Sequence, residues 1–259
     1  MSKRKLLTEG VRSVTEEEVS FYHEHGWVKL DQLVTADLAE KMLRIGIEQL
    51  ARLAPDQPIC GGLARTHRLE PFVSLVFGAQ MGINASRLIN RQRLTDVEVP
   101  VIYRVDMLGK REPGNGYPTP YHQDSAEHGS DRVGELQFWL ALAEVTPEMG
   151  AMRFVSGVHR EGPLGAGAVN GDPDILNVYP KLLDHYELSP PFHYMPGDAT
   201  VHHGHMVHGA PANTGTETRW NYLFSYTTAD TRYFNGSAGN HGSERRPLDQ
   251  TLHPVVYPP

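Results

Sequence analysis

His122 and Asp124, in the run Thr119-Pro-Tyr-His122-Gln-Asp124, place an imidazole and a carboxylate two positions apart. On an extended strand, residues i and i+2 point to the same face, so this spacing predicts the two groups side by side. A further histidine from elsewhere would complete a two-histidine, one-carboxylate face on a metal. Such a face leaves three adjacent coordination positions open, which suits ferrous iron meeting a co-substrate and dioxygen. A histidine-rich segment downstream, with His202, His203, His205 and His208, runs on to Arg219 and offers such residues. With 14 His and 31 Asp plus Glu in the chain, short His-x-Asp/Glu pairs also arise by chance, and His185/Glu187 is another. What sets His122/Asp124 apart is its setting between two apolar, strand-like runs.

The elements that must position these residues follow from pattern. Thr15 and Glu18 form a capping box that opens a helix ending near Gly26. Trp27–Leu30 reads as a short strand in which Trp27 and Leu30 flank an exposed Lys29. Thr35 opens a longer helix with Leu38, Met42, Ile45 and Leu50 at helical spacing. Residues 54–68 read as a loop, and Glu70 to Leu94 as helix with a break at Gly78. From Val99 the pattern turns to strands, at 99–107, around His122, at 135–143, 151–155, 192–195, 199–203, 206–208 and 219–227. Residues 109–120 and 161–191 read as Gly/Pro-rich loops, of the length that usually carries binding function. In the last strand Arg219, Asn221, Leu223 and Ser225 share one face, while Trp220, Tyr222, Phe224 and Tyr226 share the other. The aromatic face is expected against the helices, turning Arg219 inward. Helices first and then strands with Gly/Pro turns predict a mainly β fold, a double-sheet jelly roll backed by N-terminal helices. The expected organisation is one unit: a helical layer over 1–98, a jelly-roll core over 99–229, and a tail over 230–259 with little order.

Composition narrows the classes. At 259 residues, with 39% hydrophobic and 21% charged residues, the chain can bury one sizeable core. A formal charge of −7 argues against a nucleic-acid partner, whose footprint is normally basic. Cys60 is the only cysteine, so no intrachain disulfide forms. No signal-peptide core and no run of membrane-spanning length is apparent, and the expected setting is the cytoplasm with a small-molecule substrate.

Several separate motifs, in order, carry a family likeness. Phe21-Tyr-His-Glu-His-Gly-Trp-Val-Lys-Leu resembles the N-terminal helix-turn-strand of the phytanoyl-CoA dioxygenase (PhyH) family of Fe(II)/2-oxoglutarate-dependent oxygenases. Tyr121-His122-Gln123-Asp124 is similar to its His-Gln-Asp ligand segment. Phe138-Trp139-Leu-Ala-Leu and Gly150 through Ser156-Gly157-Val-His159 follow its apolar strand and the turn after it. Pro196-Gly-Asp198 through His208-Gly209, Asn213 and Arg219 resembles its distal segment. Two departures are Ser156, where the family usually has proline, and Ala210, where many relatives have a serine.

The resemblance implies Fe(II) held by His122, Asp124 and His208, with 2-oxoglutarate and O2 as co-substrates. His203 and His205 are the next candidates for the distal ligand by strand parity. Arg219 is expected to grip the far carboxylate of 2-oxoglutarate, which a planar, always-charged guanidinium suits better than lysine does. Gln137 and Trp139 share a strand face and are expected to line the same pocket, although Trp139 would serve equally as core. Decarboxylation to succinate and carbon dioxide would then drive removal of a hydrogen atom from an unactivated C–H bond. Related halogenases replace the ligand carboxylate with a small residue. The presence of Asp124 therefore points to hydroxylation, or to desaturation, epimerisation or ring closure, as in a tailoring enzyme of specialised or antibiotic metabolism. The competing readings are a cupin-like metal isomerase or epimerase working without 2-oxoglutarate, and a silent binding protein. The inward Arg219 counts against the first, and the complete ligand set against the second.

Overall fold

The computed structural model describes residues 9–90, 99–114, 117–128, 130–131, 134–165, 174–234 and 245–257. Helix α1 (Glu16–His25) starts at Thr15, whose hydroxyl accepts from the Glu18 N–H while Glu18 accepts from the Thr15 N–H at 2.7 Å. It ends at Gly26 in the left-handed region (φ 77°), where a Cβ would also collide with the His159 ring. Strand β1 (Trp27–Leu30) follows, then α2 (Ala36–Leu53), capped by Thr35 and buried along Ala39, Met42, Gly46 and Leu50. Next come β2 (Ile59–Gly61), α3 (Phe72–Val76) and α4 (Ala79–Asn90). The second half holds β3 (Val101–Arg111), β4 (Thr119–His122), α5 (Ser125–His128), β5 (Leu136–Ala141) and β6 (Arg153–Phe154). It continues through α6 (Ile175–Val178), α7 (Leu182–His185), β7 (Ala199–His203), β8 (His208–Ala210) and β9 (Arg219–Thr228), and ends in β10 (Arg232–Phe234), β11 (Arg245–Pro247) and β12 (Val255–Tyr257).

A curled antiparallel sheet in the order β1-β7-β5-β9-β3-β12, with β2 also on β3, faces a smaller antiparallel sheet in the order β4-β8-β6. This is the mainly β jelly roll expected from the pattern. The period-two alternation of the central strands separates two cores. Tyr222, Phe224 and Tyr226 of β9, Phe138 of β5 and Val201 of β7 join the helical residues Met42, Phe72 and Leu88 on the outer face. Phe138 and Phe224 stack there with centroids 5.1 Å apart, each burial contributing roughly 1.5–3 kcal/mol. The inner face presents Trp27, Gln137, Trp139, Thr200, His202, Arg219 and Ser225, and a second apolar cluster joins Trp27 and Trp139 to Phe154 and Ala210 of the small sheet.

Several expectations shift. Strand β4 stops at His122, so Asp124 lies in the turn that follows and not on the strand. Lys29 is half-buried, because its ammonium pairs with Asp198 at 3.1 Å. The 54–68 loop contains β2, held to the edge of β3. Residues 192–195 form no strand; Tyr194 alone bridges to Val145. The distal strand is displaced to His208–Ala210, and the 161–191 stretch contains α6 and α7. Residues 91–94, read as helix, lie outside the described residues. The tail is not loose throughout, since β12 pairs with β3 and Val256 is buried. Strands of the large sheet therefore come from before residue 99 and after residue 229. Asp106 faces the helical side, where it accepts from Tyr103 Oη (2.5 Å), Tyr222 Oη (2.8 Å) and the Ala64 N–H (3.0 Å).

Candidate metal centre

Antiparallel pairing of β4 with β8 sets His122 directly opposite His208, and their rings lie 4.3 Å apart between centroids. His122 Nδ1 is 2.8 Å from the Pro120 carbonyl and His208 Nδ1 is 3.0 Å from the Met206 carbonyl. A carbonyl only accepts, so each Nδ1 carries the proton and each Nε2 presents a lone pair of the kind a metal takes. Asp124 Oδ1 faces both lone pairs, 3.4 Å from His122 Nε2 and 3.8 Å from His208 Nε2. One ligand atom from each of the three residues lies within 4.8 Å of the others, and no other such group occurs among the described residues. Asp124 reaches this position from outside the strand, and the next residue is tied down where the Ser125 N–H bonds to the Gly204 carbonyl at 3.0 Å.

The electrostatics fit a cation. Burial alone raises the carboxyl pKa of Asp124, but His208, His122 and His202 around it outweigh burial and hold it well below the usual range. Burial, reinforced by His202, keeps His208 well below an ordinary histidine. An ionised carboxylate and neutral imidazole nitrogens are the state that metal binding requires, and two nitrogens with one oxygen are a donor set for ferrous iron. The other carboxylate oxygen, Asp124 Oδ2, accepts from His202 Nε2 at 2.9 Å.

Arg219 is 6% exposed, and its charge has no carboxylate partner among the described residues. Nη1 donates to the Gly150 carbonyl, Nε has no partner, and the guanidinium lies 5.6 Å from the Trp139 ring centre. Burial, then repulsion from Arg111, pushes its pKa down to about 9, so it remains a cation at neutral pH. Arg111 sits opposite Arg219 in the β3–β9 register and is itself bound to Thr119 Oγ1. Trp139 packs against Tyr194, while Gln137 is buried beside His202 and Ser225 with its Oε1 unpartnered. An orphaned buried donor costs about 1–3 kcal/mol. A buried cation with an orphaned donor beside an aromatic ring has the chemistry to take an anion.

The structure thus brings His122, Asp124 and His208 together, and sets Arg219 with Trp139 on the inner face of the same sheet as Gln137. His185 and Glu187 are exposed and belong to no such group. His203 and His205 point to a separate histidine group: His203 accepts from the His205 N–H at 2.9 Å, and its ring is 5.5 Å from that of His159. Sequence reasoning missed the part played by two residues. One is His202, weighed only as a possible distal ligand, because the register that sets it opposite Gln137 is not visible in the sequence. The other is Gln123, fully buried, which donates to the Gly162 and His205 carbonyls (2.9 and 2.7 Å) and accepts from the Leu164 N–H (2.6 Å). Ser156, the departure from proline, accepts from the Trp27 indole N–H at 2.7 Å and so fixes Trp27 in its stack on Phe154.

Comparisons agree with this architecture. The family model for phytanoyl-CoA dioxygenase (PhyH) matches residues 22–220. Among solved structures, the non-heme alpha ketoglutarate dependent carbocyclase SnoK from nogalamycin biosynthesis superposes with TM-score 0.76 at 23% identity, covering 95% of this chain and 99% of SnoK. The epimerase SnoN, solved with Fe3+, alpha ketoglutarate and nogalamycin RO, gives 0.70 at 19% identity over 93% of this chain and 98% of its own. EvdO2 from Micromonospora carbonacea var. aurantiaca, complexed with 2-oxoglutarate, gives 0.64 at 19% identity over 90% and 98%. At these identities the likeness is one of fold.

Proposed function

The chain belongs to the phytanoyl-CoA dioxygenase (PhyH) family, and from that membership we propose that it oxidises an unactivated C–H bond of a small molecule in specialised metabolism. Membership makes it a 2-oxoglutarate-dependent non-haem iron dioxygenase that uses Fe(II), 2-oxoglutarate and O2. In our reading His122, Asp124 and His208 hold the iron, Arg219 holds the far carboxylate of 2-oxoglutarate, and Trp139 and Gln137 line that pocket. The observation that carries this reading is the convergence of the three ligand atoms within 4.8 Å, each imidazole presenting Nε2.

When bound, the iron activates dioxygen while 2-oxoglutarate is oxidatively decarboxylated to succinate and carbon dioxide. The residues of this chain do the rest. The Pro120 and Met206 carbonyls fix the tautomers of His122 and His208, so no proton has to leave either ring before metal binds. Arg219 offers its free Nε edge to a carboxylate in a water-excluded pocket, where a charge-assisted bond is strong. Trp139 and Tyr194 wall that pocket and keep water from the guanidinium. The nogalamycin enzymes among the structural neighbours support a small natural product as substrate and antibiotic biosynthesis as the setting. They also support outcomes beyond hydroxylation, including ring closure and epimerisation.

The test is optical. Anaerobic protein given Fe(II) and 2-oxoglutarate should develop the weak visible charge-transfer band of the chelate. His208→Ala and Arg219→Ala should lose most of it. A wild type that binds metal yet shows no band would overturn the reading.

A further inference from the structure

His202 is the most deeply buried histidine near the centre, fully inaccessible to solvent, and it is not one of the three proposed ligands. Its Nε2 lies 2.9 Å from Asp124 Oδ2, whereas the ligand nitrogens of His122 and His208 face the other oxygen, Oδ1. The two carboxylate oxygens are thus divided between two tasks. His202 Nδ1 has no partner, so the one hydrogen bond this ring makes is to Asp124. The ring cannot swing away: it is packed 4.2 Å from His208 and 5.5 Å from Phe154 between centroids, on a strand paired with β1 at Trp27 and with β5 at Gln137.

We propose that His202 is a positioning residue of the metal centre, which engages Asp124 Oδ2 so that the carboxylate meets the metal through Oδ1 alone. A carboxylate free at both oxygens can chelate a metal and occupy two positions. With Oδ2 held, three protein atoms would take three of six positions, and two would be left for the 2-oxoglutarate chelate and one for dioxygen. Outer partners of this kind fix the orientation of a ligand and tune its basicity, and their loss costs about 10–100-fold in metal affinity. The inference rests on the ligand assignment made under Proposed function.

The experiment compares His202→Phe, which keeps a ring but removes the donor, with His202→Gln, whose amide nitrogen reaches about as far as Nε2. Should the phenylalanine variant fail to fold, His202→Leu takes its place. Co(II) affinity, the visible spectrum of the Co(II) protein and the position of the Fe(II)·2-oxoglutarate band are read alongside the melting temperature. Expected is a 10–100-fold loss of Co(II) affinity with an altered spectrum in the phenylalanine variant, most of it restored in His202→Gln. A folded phenylalanine variant with wild-type affinity and spectrum overturns the proposal. So does equal impairment of both variants, which would mark His202 as packing. Asp124→Ala runs in parallel: if it binds Co(II) as wild type does, the ligand assignment has failed, and not the role of His202.

Discussion

Replacing Arg219 removes a buried cation that no carboxylate of the described residues balances, so its effect should fall on the co-substrate and not on the iron. Arg219→Ala should weaken 2-oxoglutarate binding about 100-fold, and Arg219→Lys about 10-fold, because an ammonium cannot reproduce the planar fork. Titrating 2-oxoglutarate into the anaerobic Fe(II) protein measures both, and metal affinity should stay within about twofold of wild type. An unchanged 2-oxoglutarate affinity in Arg219→Ala would remove Arg219 from the site. At this scale the sequence was legible where chemistry demands a particular side chain. An imidazole and a carboxylate two apart, and an arginine facing inward by strand parity, are such cases. It was not legible where geometry chooses among equals. Four histidines crowd residues 202–208, and spacing alone does not separate them. The pairing of His122 with His208 across β4 and β8 does. The β5–β7 register sets His202 beside Gln137, where it meets a carboxylate arriving from the opposite sheet, and no spacing in the sequence shows either fact.

Gly150 ties an element to the site. It sits in the left-handed region (φ 78°), a Cβ there would lie 2.4 Å from the Pro211 carbonyl, and its own carbonyl accepts from Arg219. Gly150→Ala should therefore cost about 2–4 kcal/mol of stability, from backbone strain plus overpacking, and raise the KM for 2-oxoglutarate as Arg219 is displaced. Urea unfolding and steady-state kinetics read the two effects separately, and a stable variant with an unchanged KM would refute the link. Helices α1 and α2 were readable because Thr15 and Thr35 carry local capping signals. Strands β2 and β12 were not, since a three-residue strand exists through the edge it joins, and for both that edge is β3. Asp124 was expected on a strand because i and i+2 alternation assumes that the strand continues, and β4 ends two residues too early.

The molecule as a whole carries a titration signature in its second histidine group. Burial, then Arg160, pushes His159 down to about 4, and burial, then His205, pushes His203 down to about 3. Both lie below the unfolded value of 6.5, so between pH 6.5 and about 4 the unfolded chain binds more protons than the folded one. Stability is then full above pH 6.5 and falls as the pH drops toward the folded values. The melting temperature should decline by roughly 3–5 °C per pH unit for each histidine across this window. His159→Gln should flatten the profile; an unchanged slope in that variant would exclude His159 as a contributor. Asp124 adds to this only at the acid end of the window and below it, because its carboxyl is depressed below the unfolded carboxylate value. The position of Asp124 has a different, evolutionary consequence. On the proposed assignment, a ligand that stands beyond the last ladder bond of its strand can be exchanged without breaking the sheet, the loss being confined to the hydrogen bond from His202 and the contacts of Oδ1 with His122 and His208. The scaffold and its coordination chemistry are therefore separately heritable, and one codon could open a coordination position while the barrel around it stays as it is.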